Sequence, residues 1–167
     1  MNPMREIKID KLTLNIGCGT DKEKLDRSKK LLEKLTNQQA VITKTVKRNT
    51  FGVAKGRPIG VKVTVQGDEA KKILSSVLVA VDNKIKISQI NGGNFSIGVK
   101  EYIDIPDVTY DPDIGIMGFD AAITLKRPGF RVKLKRIRKS KIGKNHMINK
   151  NETIDWVKTL GVEVVGE

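Results

Sequence analysis

Alternation of apolar and polar side chains limits the fold of this chain more than any other feature. Four stretches show it, at residues 6–16, 61–66, 95–103 and 117–125. A period of two is typical of a strand with one buried face. Residues 40–47, rich in β-branched side chains, predict a fifth strand, while 22–35 and 68–81 repeat their apolar residues at helical spacing. The pattern predicts one α+β domain over residues 1–167, with a mainly antiparallel five-stranded sheet and helices on one face.

Smaller signals mark where these elements begin and end. Thr20 or Asp21 is suited to cap the first helix, and Asp68 to act as N-cap of the second. Residues 91–94 read Asn-Gly-Gly-Asn and predict a turn. Apolar residues at 154–160 predict a short closing helix.

The alternation divides the predicted sheet into two faces of different character. One face collects apolar residues: Ile7, Ile9, Leu12, Leu14, Ile16, Val61, Val63, Val65, Phe95, Ile97, Val99, Phe119, Ala121, Ile123 and Leu125. The other collects polar residues: Thr13, Asn15, Lys62, Thr64, Gln66, Ser96, Lys100, Asp120 and Thr124. We expect the helices to cover the first face and to leave the second open.

Two interpretations of the open polar face stand side by side. Antiparallel sheets commonly face water on one side without further purpose. Alternatively, a polar face flanked by basic loops forms a nucleic-acid platform. Aromatic residues make up only 4% of the chain, so base stacking is a poor mode of binding here. Contacts to phosphates and 2′-hydroxyls, which structured RNA displays in its wide minor groove, are favoured instead.

Residues 126–146 form the most basic stretch of the chain. The stretch contains no Asp or Glu, and its cations are Lys126, Arg127, Arg131, Lys133, Lys135, Arg136, Arg138, Lys139, Lys141 and Lys144. Such a run is usually a solvated face or a tail. Apolar residues threaded through it, with turn signals at 128–129 and at Gly143, favour a folded basic hairpin that binds polyanion.

A second basic region lies between Glu33 and Asp68, where no acidic residue occurs. Residues 48–60 contain three glycines and a proline, which predicts a long basic loop with Phe51 near its middle. Loops of this length are often functional, so this loop either reaches a second polyanion or is an ordinary mobile loop.

The overall charge favours anionic partners. Lys and Arg number 32 against 19 Asp and Glu, a net charge of +13, which suits nucleic acid or an anionic membrane surface. No apolar run approaches the roughly 20 residues of a spanning helix, and the N-terminal residues do not resemble a signal peptide. We therefore expect no membrane partner and a cytoplasmic location.

Catalytic and metal-binding patterns are weak. Gly17 and Gly19 follow a strand and precede a helix, but Lys22 stands where a dinucleotide fingerprint needs its third glycine. Cys18 and His146 are too few for a zinc site. Four acidic residues in one loop either form a magnesium cluster or support local turns: Asp104, Asp107, Asp111 and Asp113. We expect no enzyme activity, no cofactor and no metal.

Long segments of the chain resemble the ribosomal protein five family of the large subunit, which binds 5S rRNA. The resemblance rests on IDKLTLNIGCG at 9–19, on residues 36–67 and 94–132, and on RKSKIGKNH at 138–146. The basic stretch is similar to the archaeal and eukaryotic branch. Two positions depart from the family pattern: Asn37 replaces a usual Gly, and Gln66 replaces a frequent Arg, which removes one cation that would contact a phosphate.

The resemblance implies a non-enzymatic structural protein of the ribosome. Its sheet face binds 5S rRNA in the central protuberance, through Asn15, Gln38, Phe51, Thr64 and Asp120, with Lys62 beside them. Its loop 48–60 faces P-site tRNA and presents Arg48, Lys55 and Arg57. Its basic stretch binds large-subunit rRNA through Arg127, Arg131, Lys133, Lys135, Arg136, Arg138, Lys139, Lys141 and Lys144.

Further partners follow from the same resemblance. They are a neighbouring 5S-binding ribosomal protein and a small-subunit head protein across the subunit bridge, with the chain itself a monomer in the ribosome. Two other functions remain open on the sequence. The first is a free RNA-binding assembly factor or chaperone using the same surfaces. The second is an RNA-processing enzyme with the acidic loop as its metal site.

Overall fold

A long strand, β1 (Lys8–Gly17), lies inside the main sheet of the computed structural model, which describes residues 2–48, 50, 52–106 and 108–166. The other strands are β2 (Val41–Lys44), β3 (Pro58–Val65), β4 (Lys84–Lys86), β5 (Ile90–Asn91), β6 (Asn94–Val99), β7 (Phe119–Lys126) and β8 (Glu163–Val165). Six of these eight strands, β1 included, form one sheet in the order β2-β3-β1-β7-β6-β5, and every pairing in it is antiparallel. The fold class is therefore α+β, as predicted.

Helices cover one face of this sheet. They are α1 (Lys22–Thr36), α2 (Asp68–Ala80) and α4 (Lys150–Thr159). A further one-turn helix, α3 (Arg131–Leu134), has no buried residue, and 3-10 turns lie at Pro3–Arg5, Ile87–Gln89, Tyr102–Asp104 and Lys144–His146. Helix α1 packs against β3, and α2 packs against β1. The predicted apolar face is the buried one: Leu12, Leu14, Val61, Val65 and Ala121 are fully inaccessible to solvent.

Strand β1 contains a bulge that explains its apolar pattern. Ile9 pairs with Leu125, but the next paired residue of β1 is Lys11, opposite Thr124. The extra residue lets an odd-numbered apolar residue, Ile9, and an even-numbered one, Leu12, point to the same side. Both pack in the core, so the single apolar face predicted for this strand is confirmed.

Helix capping matches the prediction at one site and differs at another. The Asp21 carboxylate accepts hydrogen bonds from the backbone N–H groups of Glu23 and Lys24, at 3.1 and 3.4 Å, and so caps α1. The prediction that Asp68 is the N-cap of α2 is wrong. Gly67 occupies that position with a φ of 74°, and Asp68 instead accepts a 2.8 Å hydrogen bond from Lys71 Nζ.

Three further expectations are corrected. The main sheet has six strands instead of five, because the two-residue β5 adds an edge beside β6. The predicted loop 48–60 ends earlier, since β3 already begins at Pro58. Residues 126–146 do not form a β-hairpin: beyond the end of β7 they contain the single turn of α3 and one 3-10 turn, with no strand.

A second, parallel pair of strands was not predicted. β4 and β8 align Lys84 with Glu163 and Lys86 with Val165, which brings the C-terminal segment beside the end of α2. Ile85 of β4 is buried, and Val164 of β8 packs on the core. These two short strands therefore close one end of the apolar layer.

Candidate nucleic-acid interface

The face of the sheet opposite the helices, here called the open face, consists of side chains aligned in rows across the strands. One row runs Val41, Lys62, Asn15, Asp120 and Gly98, all exposed. Directly opposite residues in antiparallel strands have Cβ atoms about 4.5–5.5 Å apart. The amine of Lys62 and the carboxylate of Asp120 therefore flank the amide of Asn15, which gives donors and acceptors within one nucleotide's reach.

Two more rows complete the open face. One contains Thr64, Thr13, Ala122 and Ser96, and the other contains Lys11, Thr124, Asn94 and Asn91. Nearly all of these side chains are short and polar, so they project only a short distance from the sheet and offer hydroxyl and amide groups. Such a surface suits contacts with 2′-hydroxyls and phosphates of RNA, and lacks the aromatic platforms that stack bases.

Glycine at position 98 keeps the Asp120 carboxylate accessible. A Cβ atom on Gly98 would lie 3.5 Å from Asp120 Oδ1, so the carboxylate lies over the bare backbone of the neighbouring strand. An ionised carboxylate only accepts hydrogen bonds. On an RNA-facing surface its partners are hydroxyl or amino groups, since phosphates would repel it.

The structure brings together four of the six residues predicted to bind 5S rRNA: Asn15, Lys62, Thr64 and Asp120. Gln38 lies elsewhere, between α1 and β2, where its side-chain amide donates a 2.8 Å hydrogen bond to Glu69 at the start of α2. Phe51 lies outside the described residues. The sequence prediction omitted Lys11 and Asn94, although Lys11 shares its parity with Thr13 and Asn15.

The β2–β3 loop, residues 45–57, is closed at its base by Thr45. Its N–H donates to the carbonyl of Arg57 at 2.9 Å, its carbonyl accepts from the N–H of Gly56 at 2.9 Å, and its hydroxyl donates to the carbonyl of Ala54 at 2.7 Å. Beyond this base, Arg48, Lys55 and Arg57 are exposed and form no ion pair within the described residues. The described part of the loop therefore carries exposed cations that are not neutralised by an ion pair.

The basic extension, residues 126–146, has the highest density of cations in the sequence. Its exposed cations without an ion pair among the described residues are Arg131, Lys133, Lys135, Arg136, Arg138, Lys139, Lys141 and Lys144. Two of its apolar residues, Leu134 and Ile137, are 75% and 77% exposed and so are not buried in the chain's own core. Unneutralised cations beside exposed apolar groups indicate a segment that contacts an anionic partner.

Arg127 differs from the other cations of the basic extension. Its side chain is only 5% exposed, and its Nη2 lies 2.7 Å from Glu152 Oε1. Its Nη1 donates to the carbonyl oxygens of His146 and Met147, at 3.4 and 3.3 Å. The prediction that Arg127 contacts rRNA does not fit this environment, because its charge is already used to join the extension to α4.

Glu152 is held ionised by this arrangement. Its Oε2 accepts a 2.9 Å hydrogen bond from the N–H of Asn149, which caps α4, while Oε1 accepts from Arg127. Donors that favour the charged form lower the pKa of Glu152 below its ordinary value, the Asn149 N–H first and the Arg127 guanidinium second.

The acidic loop does not assemble a metal site within the part of the chain that is described. Asp107 lies outside the described residues. Asp111 pairs with Lys34 Nζ at 3.3 Å and accepts a hydrogen bond from the N–H of Asp113 at 3.2 Å, which is turn bonding. No group of three or more His, Cys, Asp or Glu residues among those described is placed to hold a metal ion.

Comparison with known proteins decides the family. A family model described as ribosomal protein L5 matches residues 2–52, and a model for the C-terminal part of the ribosomal L5 family matches residues 58–156. The chain belongs to the ribosomal protein L5 family. The sequence-based resemblance is thereby confirmed.

Archaeal members of the L5 family are similar over nearly their whole length. The large ribosomal subunit protein uL5 of Nanoarchaeum equitans is 48% identical over 98% of this chain and 99% of its own. The uL5 proteins of Archaeoglobus fulgidus and Methanosphaera stadtmanae are 43% and 45% identical, covering 98% and 95% of this chain and 92% and 95% of their own.

Membership of the L5 family confirms several expectations. The chain is a ribosomal protein and not an enzyme, and it works in the cytoplasm as part of the ribosome. The magnesium-nuclease alternative is therefore set aside. Within the described ranges no helix is both long enough and apolar enough to span a membrane.

Proposed function

We propose that this chain is a structural constituent of the large ribosomal subunit that binds 5S rRNA with the open face of its sheet. The observation that carries the proposal is the row of Lys62, Asn15 and Asp120 on three adjacent strands. All three side chains are exposed, and none is used by the core. A short, polar and uncovered surface of this kind matches the minor groove and backbone of structured RNA.

The basic extension is proposed to hold large-subunit rRNA in the central protuberance. Its eight exposed cations without an ion pair follow the end of β7 in the chain, so they add positive charge next to the sheet. Phosphate contacts from Lys and Arg carry affinity without much sequence preference. The extension therefore adds strength, while the open face adds selectivity.

The β2–β3 loop is proposed to contact P-site tRNA through Arg48, Lys55 and Arg57. Its base is fixed by the Thr45 hydrogen bonds and its cations are free, which suits a segment that reaches an RNA outside the 5S complex. Ribosomes carrying alanine at all three positions should bind P-site tRNA less tightly. Their content of 5S rRNA should stay normal, since these residues lie outside the open face.

Protein neighbours complete the proposal. A second 5S-binding ribosomal protein and a small-subunit head protein are the expected contacts, with this chain a monomer and a single domain over residues 1–167. Cross-linking in intact ribosomes tests the two contacts. A single cooperative unfolding transition of the free protein tests the single domain.

The proposal is tested by titrating purified protein against 5S rRNA, total tRNA and an unrelated RNA duplex over a range of salt concentrations. Preference for 5S rRNA that persists above physiological salt supports recognition by the open face. Equal binding to all three RNAs that disappears with salt contradicts it. A free assembly factor, the alternative function, is distinguished by sedimentation: a structural protein stays with the large subunit at high salt.

A further inference from the structure

A cleft of about 630 Å³ lies where the basic extension meets the open face. One wall is the third open-face row, with Lys11, Thr124 and Asn94. The opposite wall is the extension, including Leu134 and Ile142. The cleft therefore joins the two surfaces that the proposed function assigns to RNA.

The charge inside the cleft is positive. Asp10 is the acidic residue in its lining, and its carboxylate is neutralised by Lys126 Nζ at 2.8 Å. Lys11, Arg131 and Lys133 also line it and form no ion pair within the described residues. An anionic group at the mouth of the cleft thus has free cations to meet.

The extension side of the cleft carries apolar residues beside its cations, and these residues are held in place. Phe130 packs edge-on against His146, with ring centroids 5.7 Å apart, and His146 Nε2 lies 2.8 Å from the carbonyl oxygen of Pro128. Leu134 and Met147 remain 75% and 52% exposed at the cleft although they border its apolar wall. Exposed apolar side chains in a concave, cationic site indicate an occupant with both an apolar face and an anion.

We propose that the cleft receives one unpaired nucleotide of the bound RNA. The base would enter between Leu134 and Thr124, and its phosphate would lie against Lys11 and Arg131 or Lys133. The bases of an intact duplex are stacked and paired and do not enter such a cleft, whereas a bulged or looped base does. This inference rests on the proposed function and adds a preference that neither the sheet nor the extension alone provides.

The test uses the full chain and two RNA probes: a fully paired duplex, and the same duplex with one bulged 2-aminopurine. The wild-type protein should bind the bulged probe about tenfold more tightly, which is about 1.4 kcal/mol. The fluorescence of 2-aminopurine should also change on binding, because the base leaves its stacked or solvated state for the cleft.

Two variants provide a matched comparison. Leu134→Ser removes an apolar group that lines the cleft, and Ile137→Ser removes an equally exposed one three residues away that does not. Neither residue is buried, so neither change should affect folding, and the charge of the chain is unaltered. Leu134→Ser should reduce the preference for the bulge about fivefold, as expected for one apolar contact, while Ile137→Ser should keep it.

The outcomes separate this inference from the proposed function. Equal affinity of the wild-type protein for both probes, or equal loss in the two variants, overturns the nucleotide cleft and leaves RNA binding intact. Failure to bind 5S rRNA or either probe overturns the proposed function itself. Displacement of 2-aminopurine from the wild-type complex by AMP at millimolar concentration would further support the cleft, and no displacement by AMP would count against it.

Discussion

Arg127 Nη2 and Glu152 Oε1 are 2.7 Å apart, and this ion pair joins the start of the basic extension to helix α4. The same Arg127 donates to the carbonyls of His146 and Met147, at the far end of the extension. One buried side chain thus ties both ends of a segment of exposed cations to the core. The extension is a loop anchored at its base, which explains how a segment with so few buried residues keeps a defined position.

Arg127→Ala should lower the free energy of unfolding by about 2–3 kcal/mol. This cost is at the lower end of those for breaking a buried ion pair, because the Glu152 carboxylate remains partly exposed. Lys126→Ala, which breaks the more exposed pair with Asp10, should cost less than about 1 kcal/mol. Urea denaturation of the two variants measures the difference. Equal costs would show that Arg127 does not anchor the extension.

The free energy of unfolding should decrease as the pH is lowered into the acid range, partly because Glu152 becomes protonated. Its pKa is lower in the folded chain than the ordinary value of 4.5, so its contribution is fully present above pH 4.5 and is lost as pH falls through the folded value. Glu152→Gln should be less stable than the wild type at neutral pH, and the gap should close towards low pH. Denaturation measured at several pH values tests this, and a constant gap would contradict it.

Thr64→Ala and Asn15→Ala should each weaken binding to 5S rRNA by about 1–3 kcal/mol, because an RNA polar group loses its partner. Thermal stability should change little, since Asn15 and Thr64 are exposed. Ser75→Ala provides the control: Ser75 is an exposed hydroxyl on α2, in the helical layer, and its loss should not affect RNA binding. Equal losses of thermal stability and of affinity would show that Thr64 and Asn15 are structural.

The salt dependence of RNA binding should come mainly from the cations of the basic extension and not from those of the helical layer. If six to ten phosphates are neutralised, affinity should fall roughly 10³- to 10⁵-fold between 50 and 200 mM salt. Changing Lys135, Arg136, Arg138 and Lys139 to Gln should reduce the slope of log affinity against log salt by about 3. A control with the same charge change replaces exposed cations of the helical layer: Lys22, Lys24, Lys30 and Lys72. If the control reduces the slope equally, the attraction comes from net charge alone.

Gly60 and Gly17 face each other across β3 and β1, yet they should differ in tolerance to Ala. A Cβ on Gly60 would lie 2.6 Å from the carbonyl oxygen of Ile16, a backbone atom that has no room to move, whereas a Cβ on Gly17 meets nothing within 4 Å. Gly60→Ala should therefore cost about 2 kcal/mol or more, and Gly17→Ala less than about 1. Thermal unfolding of both variants would show the difference, and similar melting temperatures would contradict it.

Periodicity predicted most of the main sheet because burial on one face leaves a strong local pattern. The open face was also predictable, since Asn15, Thr64 and Asp120 share the parity opposite to the core residues of their own strands. The order of the strands could not be predicted, because both strands that pair with β1 are far from it in the sequence. No local pattern specifies such pairing.

Other features were missed for identifiable physical reasons. Three-residue strands such as Lys84–Lys86 carry too few residues for a period to be seen, and their pairing with residues 163–165 is long-range. The apolar residues and turn signals that favoured a hairpin at 126–146 did not lead to paired strands, and two of those apolar residues, Leu134 and Ile137, stay exposed instead of packing on the core. Burial of Arg127 was also invisible, since nothing local distinguishes it from its basic neighbours.

The position of β1 between β3 and β7 has a consequence for synthesis of the chain. Asp120, the partner of Asn15 in the central row of the open face, is synthesised more than a hundred residues after Asn15, and the row is incomplete until then. While the polypeptide is still emerging, the cations of the β2–β3 loop have been made, but neither the central row nor the basic extension is complete. The RNA recognition proposed for the open face therefore requires a chain synthesised at least as far as Asp120, so an N-terminal fragment that lacks β7 should not have it.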